Sequence, residues 1–198
     1  MGEQTPALHA DEPPSRDSAH LDALAADWAR LGVLFAVEPS PAPVDVERLI
    51  VDTAGAAPDD ERLFVCAASW LAEHHGFVNG ERLAAVAGDL DALTSAVLGA
   101  LLSVAAGGAR RLPELEAARA RCRPLAEQKP LFSATDSMRV LRDRARGNAL
   151  PVFTAWGLLH DDDRLKPSAI RPVAWLLTSV PELRARYRSD HLTQPGEG

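Results

Sequence analysis

Imidazole and carboxylate groups meet in one short run, His160-Asp161-Asp162-Asp163, which holds four possible metal ligands within a single turn. An acidic turn is also the ordinary composition of a solvated loop tip, and ligands from another segment would have to join it in space. His74-His75, after Glu73, raises the same question. Neighbouring helical residues point about 100° apart, so this pair cannot chelate from one face as an i, i+4 pair does. A histidine at a helix end instead interacts with the dipole. No metal is expected, and no cofactor. Gly107-Gly108-Ala109-Arg110-Arg111 has glycines and cations, but it follows a helix rather than a strand and lacks the GK[ST] ending of a phosphate loop. It reads as a linker. No GxSxG elbow occurs, and neither Cys66 nor Cys122 has a histidine nearby in sequence. Asp59-Asp60 and Asp161-Asp162 fall in exposed patterns, where perturbed titration is not expected. No catalytic residue emerges from this survey.

The remaining chemistry is cationic. Arg110, Arg111, Arg139, Arg142, Arg146, Lys166, Arg184 and Arg188 are the candidate contact residues for a nucleic acid or a protein partner. Arg139, Arg142 and Arg146 recur at spacings of three and four, which places them in one stripe of a helix, with Asp143 able to pair with either end of it. The whole chain has a formal charge of −7. Residues 1–108 hold 5 arginines against 17 carboxylates, a balance of −12, whereas residues 109–188 hold 14 arginines and 2 lysines against 9 carboxylates, a balance of +7. The last ten residues contribute −2. Two readings follow. The halves neutralise each other inside one fold, or they present faces to partners. The second leads to a non-catalytic interaction or regulatory protein, binding a protein partner or a second copy of itself through an acidic N-terminal and an Arg-rich C-terminal face. The alternative is a DNA- or RNA-binding regulator of helix-turn-helix type using the C-terminal cations. Its difficulty is the candidate recognition helix, residues 89–106, which offers Asp89, Asp91, Thr94 and Ser95 rather than Arg, Lys, Asn or Gln.

These groups need a scaffold, and the periodicity supplies an all-α one: a multi-helix, bundle-like domain with at most one small C-terminal β-hairpin. Residues 58–109 are its centre. Pro58 is expected in the first turn of a helix whose face is Leu63, Phe64, Ala67, Trp70 and Leu71, with Gly76 as a φ > 0 terminator. Asn79 caps a short helix over 80–87. Residues 92–109 contain no charge, and Leu90, Leu93, Val97, Leu101 and Val104 share a stripe. Alanine, glycine and serine dilute this run, and no basic or aromatic belt precedes it, so it reads as a buried helix rather than a membrane span. Earlier helices are expected over 19–37 and 44–54. Later ones follow over 112–122, 136–146 and 151–156, from 169, and over 181–188. Met138, Leu141 and Ala145 are expected to face inward, and residues 157–166 to form the hairpin around the acidic turn. Trp28, Trp70, Trp156 and Trp175 all fall on apolar faces. Residues 1–17 read as a disordered tail, 18–188 as one domain with a joint near 107–109, and 189–198 as a second tail. Two isolated cysteines and the lack of a basic-then-apolar leader point to the cytoplasm, with no membrane partner.

Overall fold

Helix α5 (Ala92–Ala105) runs through the centre, with Ala96, Val97, Leu98, Ala100, Leu101, Leu102 and Val104 wholly buried. Asp91 starts it: its Oδ1 accepts from the backbone N–H of Leu93 (2.9 Å) and Thr94 (3.0 Å). The computed structural model describes residues 16–33, 35–107 and 112–167. Around α5 lie α1 (Arg16–Arg30), α2 (Val46–Ala56), α3 (Glu61–His74), α4 (Gly80–Val86) and α6 (Pro113–Arg119). After β1 (Lys129–Pro130) come α7 (Ser133–Ser137), α8 (Arg139–Asn148), α9 (Pro151–Thr154) and β2 (Leu158–Leu159). Helices α2, α3, α6 and α9 all pack on α5. Each fully buried leucine there contributes about 1.5–3 kcal/mol. Among the described residues, no helix is long and apolar enough to cross a membrane. The expected helices beyond 168, residues 1–15 of the first expected tail, the second tail and Trp175 lie outside the described residues, as does most of the expected joint. Arg16 and Asp17, expected in the first tail, open α1 instead.

Aromatic side chains fix how the helices meet. Trp28 donates to Thr53 Oγ1 (2.8 Å), Trp70 donates to the Leu31 carbonyl (3.1 Å), and the two indoles meet edge to face at 5.6 Å. Trp156, on the far side of the expected joint, packs back onto α5. Its Nε1 donates to Ser103 Oγ (3.0 Å), and that hydroxyl donates to the Gly99 carbonyl (2.7 Å). A Cβ at position 99 would stand 2.5 Å from the Trp156 ring, so the glycine in mid-helix is what lets the indole approach the backbone.

Several boundaries differ from expectation for identifiable reasons. Helix α1 stops at Arg30, not near residue 37. Gly32 takes φ +89°, with Gly32 N–H donating to the Ala29 carbonyl (3.0 Å) and Val33 N–H to that of Trp28 (3.0 Å), a Schellman ending. Pro58 precedes α3 rather than lying in its first turn, because Asp60 takes the cap by accepting from Arg62 N–H (2.9 Å). Gly76 lies inside a 3₁₀ turn, His75–Phe77, and does not take positive φ. The helix expected over 136–146 is two helices, because Met138 is extended (φ −110°, ψ 102°).

The small sheet involves part of the expected segment, but it is not a hairpin. Leu158–Leu159 pairs in parallel with Lys129–Pro130, 29 residues upstream, in the register Lys129 to Leu158 and Pro130 to Leu159. The pairing lets Leu131 and Phe132 dock in the core. Gly157 enters it at φ +72°, in a place where a Cβ would meet the Leu125 carbonyl oxygen at 2.7 Å. Residues 164–166 do not become a return strand. The Asp162 carboxylate accepts from Arg164 N–H (2.8 Å) and turns the chain into a 3₁₀ helix, Asp163–Leu165.

Candidate functional site

Helix α8 presents the cations at the surface of the C-terminal half. Only Ala145 of its ten residues is buried. Four of the ten are arginines. Arg139 and Arg146 are exposed, whereas Arg142 lies half-buried on the side of Ala145. The expected stripe of Arg139, Arg142 and Arg146 is therefore not one open face. Arg142 reaches Asp136 (3.9 Å), Arg146 reaches Asp143 (4.0 Å), and Lys166 is held by Asp163 (2.7 Å). Among the described residues Arg139 has no carboxylate within 4.0 Å. Arg110, Arg111, Arg184 and Arg188 lie outside the described residues.

Apolar residues interrupt the same surface. Val140 is 73% exposed, Met138 56% and Leu141 39%. Met138 and Leu141 were expected to face the core. The extended backbone at Met138 takes that residue out of the helix, and Leu141, one turn before Ala145 on the same side, lies where the first turn of α8 is still exposed; only Ala145 and the stem of Arg142 turn inward. Arg144, which sequence reasoning passed over, ties α8 to the loop beyond β2 through Asp161 (2.6 Å).

The acidic first half does not neutralise this surface. Among the described residues, one arginine–carboxylate pair joins the two halves: Arg164 with Glu61, at 3.5 Å. Arg48, Arg62 and Arg82 pair with carboxylates of their own half. Arg119, Arg142, Arg144 and Arg146 do the same in theirs. The halves meet instead through apolar packing, with help from the Ser133 hydroxyl, which donates to Asp59 (2.7 Å).

The histidines are placed separately. His74 is buried between Trp70 (5.3 Å) and Phe77 (6.1 Å), with no hydrogen-bond partner among the described residues, and burial lowers its pKa against the opposing pull of Glu73. His75 points to Glu114 (3.3 Å). His160 is buried between Phe132 and Phe153, and burial lowers its pKa against Asp162 and Asp161. Burial pushes the Cys66 and Cys122 thiols up to about 11, so neither is a ready nucleophile at neutral pH.

An open cleft of about 640 Å³ lies between α1, α2 and the start of α5. Four of its polar groups pair with one another: Arg48 with Asp52 (3.0 Å), and Asp91 with the Thr94 hydroxyl (2.6 Å). No nucleophile–base pair converges there. Comparison with protein-family models, with curated proteins and with solved structures finds no match to this chain.

Proposed function

We propose that the protein is a non-catalytic interaction module that binds an acidic protein partner through α8 and Met138. One observation carries the reading: three large apolar side chains, Met138 just before α8 and Val140 and Leu141 on it, stand exposed among arginines where the core barely uses the helix. Apolar side chains with cations around them suit a protein surface that buries the first and pairs the second. A phosphate backbone would engage the arginines and leave Val140 in water. Three of the four described candidate cations already have a carboxylate within 4.0 Å, which weakens attraction to phosphates further. That one arginine–carboxylate pair joins the halves among the described residues supports a partner for each face. The acidic half is then a second face, open to a basic partner or to another copy of the chain. Two free, protonated thiols suit a reducing compartment, the cytoplasm.

A photoreactive amino acid at position 140, irradiated in the native cell, tests this. The expected product is a polypeptide adduct that disappears when Arg139 and Arg146 are changed to Glu; a dimer of this chain with the same dependence places the acidic half as the partner. A nucleic-acid adduct, or none, refutes the reading. In parallel, duplex DNA and single-stranded RNA titrated at low salt are expected to give no saturable, salt-sensitive binding.

A further inference from the structure

Three ligand-type groups from distant parts of the chain converge beside β2. Glu61 is the first residue of α3, Asp162 caps the 3₁₀ turn, and His160 follows Leu159. One oxygen from each carboxylate and one nitrogen of His160 lie within 4.8 Å of one another. The His160 side of this cluster is built. The residue is only 8% exposed, and its Nε2 is buried with no hydrogen-bond partner among the described residues. Phe132 (5.0 Å) and Phe153 (5.1 Å) meet the ring edge-on and hold its direction. A buried nitrogen left unpaired is unfavourable, and a cation that reached it would remove that defect. A cation already stands on the open side: the Arg164 guanidinium contacts Asp162 and lies 3.5 Å from Glu61 Oε1. The Arg164 side chain is 80% exposed, so water compensates its release.

We propose that Glu61, His160 and Asp162 bind one divalent ion of the zinc class, with Arg164 as the displaceable resident cation. One imidazole nitrogen with two carboxylate oxygens is the donor set of a borderline ion; magnesium and calcium prefer oxygen alone. Zinc with ligands at about 2.0–2.2 Å needs donor atoms roughly 3.4 Å apart, so the groups must close in from separations of up to 4.8 Å, by at most about 1.4 Å. Both side chains are partly exposed; Asp162 keeps one oxygen on the Arg164 N–H that it caps, and its other oxygen moves as the guanidinium leaves. Water completes the shell. The ion would tie the start of α3 to the loop that also anchors Arg144 of α8. None of the three ligands belongs to the proposed partner surface.

Calorimetric titration of Zn²⁺ into tag-free, chelator-treated full-length protein tests it. One ion per chain is expected, with a raised Tm and no saturable binding of Mg²⁺. Glu61→Gln and Asp162→Asn should each weaken zinc by about tenfold or more, the scale of losing a ligand or its support. Asparagine at 162 keeps the oxygen that caps the turn. His160→Gln should abolish binding; if that variant fails to fold, the two carboxylate variants decide. Arg164→Gln should tighten binding, because both carboxylates are released. No saturation below about 100 μM zinc, a mere 5–6 kcal/mol of affinity, overturns the proposal. So does unchanged affinity in either carboxylate variant, or weaker binding in Arg164→Gln.

Discussion

Helices α5 and α8 treat their apolar residues in opposite ways. In α5, ten of fourteen residues are buried and none is charged. In α8, one of ten is buried and four are arginine. Every leucine in the middle of α5 has a neighbour that accounts for it. Val140 and Leu141 on α8, with Met138 before it, have none among the described residues sufficient to bury them. An apolar residue the fold does not use is informative about contacts beyond the chain, whereas one that the fold does use says nothing about them.

Breaking α5 should therefore have the largest consequence. Leu98→Ala is expected to lower the unfolding free energy by about 2–5 kcal/mol in a urea titration, the cost of a buried cavity. Gly99→Ala follows. The added methyl meets the Trp156 ring, and a loss of about 1–3 kcal/mol is expected from overpacking. Trp156→Ala in the same chain should recover part of that loss, since the two sites share one contact. Simple additivity of the two losses would show that the ring is not what position 99 accommodates.

His74 sharpens the comparison through pH. Burial lowers its folded pKa below the unfolded value near 6.5, so the unfolded chain binds the proton first. Its neutral form supports full stability above about pH 6.5, and stability is lost as pH falls from there through the lowered folded value. His160 acts in the same direction. His74→Leu should flatten the decline between pH 7 and 5, removing at most about 1.4 kcal/mol per pH unit of slope. An unchanged slope in urea midpoints across that range would show that His74 does not titrate with unfolding.

Much of α5 is legible in the sequence because a long uncharged run with helical period has few other places to go. Asn79 is legible as a cap because its side chain acts locally, accepting from Arg82 N–H at 3.1 Å. The end of α1 at Gly32 is less legible, because Leu31 and Phe35 continue the helical period past it. The α8 region failed differently. Periodicity assigns Met138, Leu141 and Ala145 to one face but cannot report that Met138 is extended and outside the helix, or that only Ala145 on that face is covered. The meeting of Glu61 with His160 depends on a parallel pairing between residues 129–130 and 158–159, which no local pattern encodes. Burial of Glu47 is similar: its carboxylate accepts from Asn79 N–H (2.7 Å) on another helix, a partner invisible from α2 alone.

The smallest stability effect is expected where the binding effect should be greatest. Changing Met138, Val140 and Leu141 together to serine removes the apolar face of α8 and leaves its arginines in place. Urea unfolding of that variant measures directly whether the fold uses those side chains. A free energy within about 0.5 kcal/mol of the parent chain is expected, the range of surface substitutions. A loss of about 3 kcal/mol or more would place the three side chains in the core and contradict an open docking face.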